Sequence, residues 1–293
     1  MSTFLSCTST DLRPSEFVNK YGQIEREFSH HTQGSGNVSW LVETAERKLF
    51  VKSAGPDAPS PPGAPRPYFD HGGRVRLLRN AAEVARSCRH PALPELLNVI
   101  ESAGGPMLVY QAVAGDLIGV ASKPIPGGSA RLRQDPTSSY QRFARLPAAE
   151  LLAHFDTLIE LHRDLAYAGW VASDLYDGCL IVDFTNHTLH VVDLDNYRKG
   201  PTHNDMGRMF GSSRFMAPEE FELGATIDQR TTVFNLGRLA WHFSTRLSET
   251  DDQFCGSPGL ASVLKQATAT TPGQRHQSVA EFAAAWTAER LRT

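Results

Sequence analysis

The segment from Val171 to Asp195 constrains the fold of this chain more than any other stretch of the sequence. Two short apolar runs that contain β-branched residues, 179–182 and 189–192, are separated by a polar stretch, which is typical of a β-hairpin. Asp174 precedes the first run by a short loop, and Asp193 follows the second run directly. Because a hairpin brings the outer ends of its strands to the same end of the sheet, we expect these carboxylates to lie close together. There they could share a metal-bound phosphate, although Asp is also a common turn residue that bonds to nearby backbone.

The composition predicts a folded protein without nucleic-acid or membrane partners. The 293 residues are 41% hydrophobic, which suffices for one large domain or two modest ones. The net charge of −3, without an arginine-rich or aromatic-interleaved patch, argues against nucleic acid as a partner. The four cysteines form no CxxC pair, so we expect reduced thiols rather than zinc ligands or disulfides. The start of the sequence does not resemble a signal peptide and no apolar run approaches the roughly 20 residues that span a bilayer, so we expect a cytoplasmic location.

The N-terminal part of the sequence is rich in predicted strands. Alternating apolar residues over 28–40 and 47–54 predict an antiparallel pair, and the first member of this pair carries Gly34-Ser35-Gly36. Such glycines let backbone amides approach a phosphate closely, but a single Gly-x-Gly is more often a plain loop. Lys52 lies between apolar neighbours in the second member, where its ammonium either snorkels to solvent or meets an anion.

A change in composition near Val113 predicts two domains, over 1–113 and 114–293. Upstream of this boundary, the sequence predicts a helix over 75–89 that ends before Pro91, and strands over 93–100 and 107–113. Downstream of it, helices predominate and are predicted over 148–168, 231–244 and 278–291.

The order of these features resembles the eukaryotic-type protein kinase family over nearly the whole chain. A glycine-containing strand pair with a lysine is followed by a helix, His-Pro, an apolar strand, a long helix, an acidic loop, a hairpin, an acid and Ala-Pro-Glu. The most specific motif is Gly211–Glu219, GSSRFMAPE, which resembles the end of the family's activation segment. The resemblance implies an α+β, bilobal, protein kinase-like fold with a small strand-rich N-lobe and a larger helical C-lobe. It also implies ATP and Mg²⁺ as cofactors and a Ser or Thr hydroxyl of a protein or peptide substrate as the acceptor.

The resemblance further implies roles for individual residues. Lys52 resembles the lysine that holds the α- and β-phosphates, Asp174 the acid that accepts the hydroxyl proton, and Asp193 the acid that holds Mg²⁺. A buried ion pair between Glu219 and Arg275 is also implied, although Glu219 alone suits a first helical turn, where the helix dipole favours an acid. The residues implied to contact the nucleotide are Gly34, Ser35, Gly36, Lys52, Gln111 and Val113, the last two through their backbone at the adenine edge.

A second pair of acids competes for the same roles. His162–Leu165 spells the family's catalytic-loop string His-Arg-Asp-Leu, and Asp183 begins a near match to the metal motif. Spacing does not distinguish the two pairs, since 183 − 164 and 193 − 174 both equal 19. The apolar stripe of the preceding helix continues through this string, so we expect Asp164 to be helical. In the family, the hairpin lies between the catalytic acid and the metal-binding acid. Only Asp174 and Asp193 lie on either side of the predicted hairpin, so they are the predicted pair.

Several positions depart from the family's pattern. Ala172 and Ser173 replace a histidine and an arginine, so a phosphorylated activation segment would lack its usual arginine partner. Tyr176 replaces a lysine, and Cys179 replaces the asparagine that usually binds a second Mg²⁺, for which a thiol is a poor ligand. Asp177, two residues before Cys179, or Asp195 could take over as the metal ligand.

These departures leave three functions open. Besides the active kinase, the altered loop favours a pseudokinase, a nucleotide-binding or scaffold module without chemistry. Ala81 also stands where the family has the helix acid that pairs with Lys52, and Glu83 lies two residues further on, about 200° around a helix. A small-molecule phosphotransferase is the third function, against which the Ala-Pro-Glu segment argues because such enzymes generally lack it.

Overall fold

The computed structural model describes residues 2–29, 34–59, 62–119, 131 and 133–292. The protein is mixed α+β, with a strand-rich sheet in the N-terminal part and mostly helices in the C-terminal part. The chain divides into two units. The first unit comprises the residues up to Arg89 together with Pro94–Val113, and the second comprises His90–Leu93 and most of the chain from Ala114 onward. No helix in the described ranges is long and apolar enough to cross a membrane.

The first unit is built on a five-stranded antiparallel sheet with the strand order β1-β2-β3-β5-β4. The predicted pairing of 28–40 with 47–54 is confirmed for β2 and β3, but β2 begins only at Val38. Gly36 has a φ of 81°, a left-handed conformation that interrupts an extended strand, so Gly34–Gly36 lies between β1 and β2 instead. Residues 30–33 of the predicted strand lie outside the described residues. The strands are β1 (Gln23–Phe28), β2 (Val38–Glu43), β3 (Lys48–Ser53), β4 (Leu96–Ser102) and β5 (Gly105–Gln111).

The N-terminal residues, for which the sequence predicts no element, form two short helices that complete the core of the first unit. They are α1 (Thr3–Ser6) and α2 (Pro14–Tyr21). Phe4 and Phe17 are fully buried in one hydrophobic cluster with residues of the sheet. The Asn98 side-chain amide on β4 donates to the Phe4 carbonyl at 2.9 Å, which ties α1 to the sheet.

Helix α3 (His71–Ser87) packs on the same sheet through a second cluster. The predicted helix over 75–89 is confirmed, although it begins earlier, because the Asp70 side chain caps it by accepting from the Gly73 amide at 2.7 Å. Leu78 is the fully buried side chain of α3 in this cluster.

The second unit is mainly helical. Its helices are α4 (Ser139–Ala144), α5 (Ala148–Tyr167), α6 (Gln229–Ser244), α7 (Pro258–Ala267) and α8 (Val279–Arg290). The predicted helices over 148–168, 231–244 and 278–291 are confirmed to within two residues at each end, whereas α7 is absent from the prediction. Helix α6 is buried along almost its whole length because α5, α7 and α8 pack around it.

The predicted hairpin is confirmed within this unit. Strands β8 and β9 pair with Leu180 opposite Val191, and β6 pairs with the other side of β8 to complete a three-stranded sheet. The short strands of the second unit are β6 (Asp116–Leu117), β7 (Trp170–Val171), β8 (Leu180–Asp183), β9 (Thr188–Val191), β10 (Arg198–Lys199), β11 (Thr202–His203) and β12 (Thr226–Ile227).

The string His-Arg-Asp-Leu lies inside α5, as the apolar stripe predicts. His162 is buried, its Nδ1 donates to the Leu158 carbonyl at 2.7 Å, and its Nε2 accepts from the Tyr197 hydroxyl at 2.7 Å. Burial lowers the pKa of His162 to about 4, so the imidazole is neutral. His162 is therefore a histidine of the helical core, and Asp164 lies in a helix rather than in a loop.

The predicted ion pair between Glu219 and Arg275 is confirmed, and it is buried. Two guanidinium nitrogens of Arg275 contact the two carboxylate oxygens at 2.6 and 2.9 Å, and the Arg275 side chain is 0% exposed. The Thr231 hydroxyl at the start of α6 donates to Glu219 Oε1 at 2.8 Å. The guanidinium also donates to the carbonyls of Ala269, Arg230 and Thr270, so this buried charge is fully hydrogen-bonded.

Arg275→Met is expected to destabilise the second unit strongly, because it leaves the Glu219 carboxylate buried without its cation. Removal of one partner from a buried pair costs roughly 3–5 kcal/mol in the free energy of unfolding. Urea unfolding followed by tryptophan fluorescence measures this loss, since Trp170, Trp241 and Trp286 lie in the second unit.

Arg290→Met provides the matched control. Arg290 contacts Asp156 at 3.0 Å, but the two side chains are 23% and 40% exposed, so a loss of about 1 kcal/mol or less is expected. Equal losses for the two variants would contradict the importance of the buried pair.

Candidate functional site

The two predicted acids at the ends of the hairpin share an uncommon backbone conformation. Asp174 follows β7 with a φ of 66°, and Asp193 follows β9 with a φ of 65°. Both values lie in the left-handed region, which Asp tolerates better than most residues but which still stores strain. Such residues persist only where the surrounding structure dictates them, and they cluster at functional sites.

The loop that carries Asp174 is fixed by two hydrogen bonds. The Ala172 amide donates to the Thr232 hydroxyl in the first turn of α6 at 2.9 Å. The Cys179 thiol donates to the Asp174 carbonyl at 3.2 Å. The sequence does not predict the role of Thr232. A threonine near the start of an apolar helix shows no pattern that identifies a hydrogen-bond partner 60 residues away.

Asp174 has an electrostatic environment suited to a proton acceptor. Burial first, and then the nearby charge of Asp193, raise its pKa to about 7, with smaller contributions from Glu220 and Asp195. The Asn196 amide opposes this shift by donating to Asp174 Oδ2 at 3.0 Å. A carboxyl group that exchanges its proton near neutral pH is suited to general base catalysis. The sequence identifies Asp174 but not Asn196, whose role depends on the fold of the turn that follows Asp193.

The acids predicted to bind metal are brought together only in part. The turn that carries Asp193 and Asp195 lies beside Asp174, because the Asn196 amide, directly after Asp195, donates to Asp174 Oδ2 at 3.0 Å. Among the residues that the structure describes, no group of three or more His, Cys, Asp or Glu side chains is arranged to hold a metal ion. Mg²⁺ is usually bound through one or two carboxylates together with substrate phosphates, so Asp193 and Asp195 offer oxygen ligands of the right type.

Asp177, the other predicted metal ligand, already has a cationic partner. Its side chain is 1% exposed, and Oδ2 accepts from the Arg214 guanidinium at 2.7 Å. The second oxygen, Oδ1, is buried and has no hydrogen-bond partner in the described part of the chain. The sequence does not predict this ion pair, because its partners lie far apart along the chain.

The two altered positions near Asp174 hold neutral groups. Burial, followed by the charges of Asp174 and Asp193, raises the pKa of the Cys179 thiol well above its ordinary value. Burial is also the main cause that raises the pKa of the Tyr176 phenol above its ordinary value. The thiol and the phenol therefore stay protonated and neutral.

The predicted nucleotide-contacting residues belong to the first unit. Lys52 on β3 is 9% exposed and lies opposite Ser39 on β2 and Leu108 on β5. On α3, Ala81 is buried, whereas Glu83 is exposed on another side of the helix. A lysine buried to this degree inside a sheet is unusual, since its ammonium must be hydrated or paired.

The glycine segment and the end of β5 have their own local contacts. Gly34 and Ser35 are exposed, and the Ser35 hydroxyl accepts from the backbone amide of Asn37 at 3.3 Å. At the end of β5, the Gln111 amide donates to a carbonyl of the same unit at 2.9 Å, and Val113 is half-buried. The backbone amide of Gln111 thus already has a protein partner.

No protein-family model matches this sequence, and no curated protein matches it either.

Asp174→Asn is expected to gain stability relative to the unsubstituted protein as the pH rises from 4 to 7. In this window the unfolded state has released the proton, whereas the folded state, with a pKa of about 7 against an ordinary 3.8, still binds it. The free energy of unfolding therefore falls as the pH rises from 4 to 7, by on the order of 3 kcal/mol, because only the unfolded state ionises, and asparagine removes this loss. Urea unfolding in metal-free buffer at pH 4–8 measures the difference.

Asp183→Asn serves as the control with the opposite sign. Hydrogen bonds from Asn186 are the main cause that lowers the pKa of Asp183, so its ionised form stabilises the folded state above the ordinary pKa. A stability difference for Asp174→Asn that does not change between pH 4 and 8 would show that Asp174 is not desolvated.

Proposed function

We propose that this chain is a protein kinase-like phosphotransferase that uses ATP and Mg²⁺ to phosphorylate a Ser or Thr hydroxyl of a protein or peptide. The observation that carries the proposal is the pair of left-handed aspartates at the ends of the hairpin, with a pKa of about 7 for Asp174. Ordinary turn residues explain the backbone conformation, but they do not explain why an acid in such a turn is desolvated and surrounded by other acids.

In the proposed mechanism, Asp174 accepts the proton of the attacking hydroxyl. The Asn196 amide orients its carboxylate, and the Cys179 thiol holds the backbone carbonyl of the same residue. Phosphoryl transfer depends mainly on the positioning of the reactants and on stabilisation of the charge on the phosphoryl group. The contribution of this loop is therefore a base that is held in place and whose pKa lies near neutral pH.

Asp193, with Asp195, is assigned to the Mg²⁺ that accompanies the nucleotide. When bound, the metal would neutralise phosphate charge and stabilise the transition state. The pKa of Asp174 is raised by burial first and then by the charge of Asp193. A divalent cation would relieve this second effect, the repulsion between carboxylates, which favours a cation at this position. In the first unit, we assign Lys52 to the nucleotide phosphates and the segment Gly34–Gly36 to close backbone approach.

A polypeptide acceptor is favoured by the segment Gly211–Glu219. Its C-terminal end is held by the buried pair of Glu219 with Arg275, and the Phe215 carbonyl accepts from the Asn235 amide on α6 at 2.9 Å. A fixed segment of this kind, which ends in an Ala-Pro-Glu motif, resembles a docking surface for an extended peptide more than a pocket for a small molecule.

The second candidate function is a nucleotide-binding module without chemistry. The neutral Tyr176 phenol and Cys179 thiol favour it, because they supply neither the positive charge nor the oxygen ligand found at these positions in the kinase family. The retained Asp174, Asp193 and Lys52 favour catalysis at a reduced rate instead.

Asp174→Ala is expected to lower phosphate transfer by roughly 10²–10⁴-fold while nucleotide binding is retained, because only the base is removed. Transfer is measured with radiolabelled ATP and Mg²⁺ or Mn²⁺ on candidate proteins and a panel of small molecules. Binding is measured by calorimetry on the same samples. Asp193→Ala is expected to weaken nucleotide binding only when the metal is present.

Asp164→Ala is the matched control, because Asp164 occupies the catalytic position of the literal His-Arg-Asp-Leu string but lies in α5. It is expected to leave transfer unchanged. Loss of transfer in Asp164→Ala, with none in Asp174→Ala, would overturn the assignment. Nucleotide binding without transfer to any acceptor would select the second candidate function.

A further inference from the structure

Arg214 is a cation of the segment Gly211–Glu219 that contacts the candidate catalytic loop directly. One guanidinium nitrogen donates to Asp177 Oδ2 at 2.7 Å, and another donates to the Tyr140 hydroxyl at 3.1 Å. The guanidinium also lies over the Phe215 ring, 4.6 Å from its centroid. The Arg214 side chain is 27% exposed and that of Asp177 is 1% exposed, so the contact is largely shielded from water.

Asp177 has little room to turn away from this contact. Asp177 begins the short helical turn Asp177–Cys179, three residues after Asp174, and its carbonyl accepts from the Gly119 amide at 3.0 Å. A Cβ atom at Gly119 would lie 2.6 Å from the Asp177 carboxylate, so the chain packs closely against that side. Because Oδ1 is buried without a hydrogen-bond partner among the described residues, Arg214 provides the charge compensation that the structure shows for this carboxylate.

A chain of hydrogen bonds holds Arg214 from the other side. The Tyr140 hydroxyl, which accepts from Arg214, contacts His242 Nε2 at 2.5 Å, and His242 Nδ1 contacts the Glu249 carboxylate. Arg238 contacts Glu249 at 3.1 Å and donates to the Arg214 carbonyl at 3.3 Å, which closes the chain into a ring. The guanidinium and the backbone of Arg214 are therefore both fixed by α4, α6 and the turn after α6.

We propose that Arg214 is a positioning residue, which orders the segment Gly211–Glu219 against the candidate catalytic loop through a permanent ion pair with Asp177 and so makes a phosphate on this segment unnecessary. Ser173 stands where the kinase family has the arginine that pairs with such a phosphate. Here the charges are reversed, since the cation lies on the segment and the anion on the loop. The role of Arg214 in phosphate transfer rests on the proposed function, whereas its role in ordering the segment Gly211–Glu219 is independent of that function.

Hydrogen exchange of the full, unphosphorylated chain tests the ordering, with intact mass to verify that no phosphate is present. In the unsubstituted protein, peptides covering 211–217 and 174–180 are expected to be protected. Arg214→Met is expected to speed exchange in both peptides by at least about tenfold, because local opening no longer breaks an ion pair. Exchange of the sheet peptide 38–53 in the first unit is expected to stay unchanged.

Two further variants distinguish an effect of Arg214 on the position of the segment Gly211–Glu219 from an effect on the stability of the protein alone. Arg142→Met removes an arginine whose pair with Asp116 at 3.3 Å is half-exposed, and it is expected to leave both peptides protected. The double variant Arg214→Met with Asp177→Asn removes the buried uncompensated charge, so it is expected to recover the urea midpoint lost in Arg214→Met. Peptide 211–217 should nevertheless still exchange fast in the double variant, because the tether is gone.

Arg214→Lys is expected to restore protection in 174–180, because an ammonium can still pair with Asp177 although it lacks the planar fork that also contacts Tyr140. Unchanged exchange in Arg214→Met, or full protection of 211–217 in the double variant, would overturn the proposal.

Transfer assays on the same variants distinguish this proposal from the proposed function. Arg214→Met is expected to lower kcat by about tenfold or more, with the KM for ATP within about twofold, because misplacement affects the acceptor side of the reaction. If the protein transfers no phosphate, but hydrogen exchange becomes faster in Arg214→Met, the positioning role is supported and the kinase proposal is refuted. A protein that transfers phosphate, with exchange and kcat unchanged in Arg214→Met, would refute the positioning role alone.

Discussion

The buried ion pair between Glu219 and Arg275 is the interaction on which the second unit depends most. A buried charge pair is tolerated only when its remaining hydrogen bonds are made, and here Thr231 and three backbone carbonyls make them. Thr231 lies in the first turn of α6, and the next residue, Thr232, holds the Ala172 amide. The same turn therefore fixes the end of the Gly211–Glu219 segment and the loop that carries the candidate base.

The candidate site combines two unfavourable features that the surrounding structure must offset. Asp174 and Asp193 both adopt left-handed backbone conformations. Burial, and then the charge of Asp193, disfavour the ionised form of Asp174 and raise its pKa. Backbone strain and repulsion between like charges both destabilise the folded state, so selection for stability alone would not favour them at one position. Local violations of this kind are expected at functional sites, where the geometry serves chemistry or ligand binding.

The positive charge beside the candidate catalytic loop comes from a residue that is distant in the sequence. Ser173 and Tyr176 give the candidate catalytic loop no positive charge, while Arg214 brings one to it from the segment Gly211–Glu219. Asp177 then becomes the anion of a shielded pair rather than a solvated acid. The local balance of charge is thus maintained by a residue far away in sequence, through a contact that α4 and α6 support.

The sequence by itself determined the features that depend on local periodicity or on a motif. These include the hairpin, the helical state of Asp164, the main helices and, through the Ala-Pro-Glu resemblance, the partners of the Glu219–Arg275 pair. The tertiary structure alone decided the contacts of single polar side chains across long separations, such as Thr232 with Ala172 and Arg214 with Asp177. It also decided that α1 and α2 complete the core of the first unit. The physical reason is that apolar periodicity repeats along the chain and can be recognised locally, whereas a single hydrogen bond or ion pair acquires its partner only when the fold brings distant residues together.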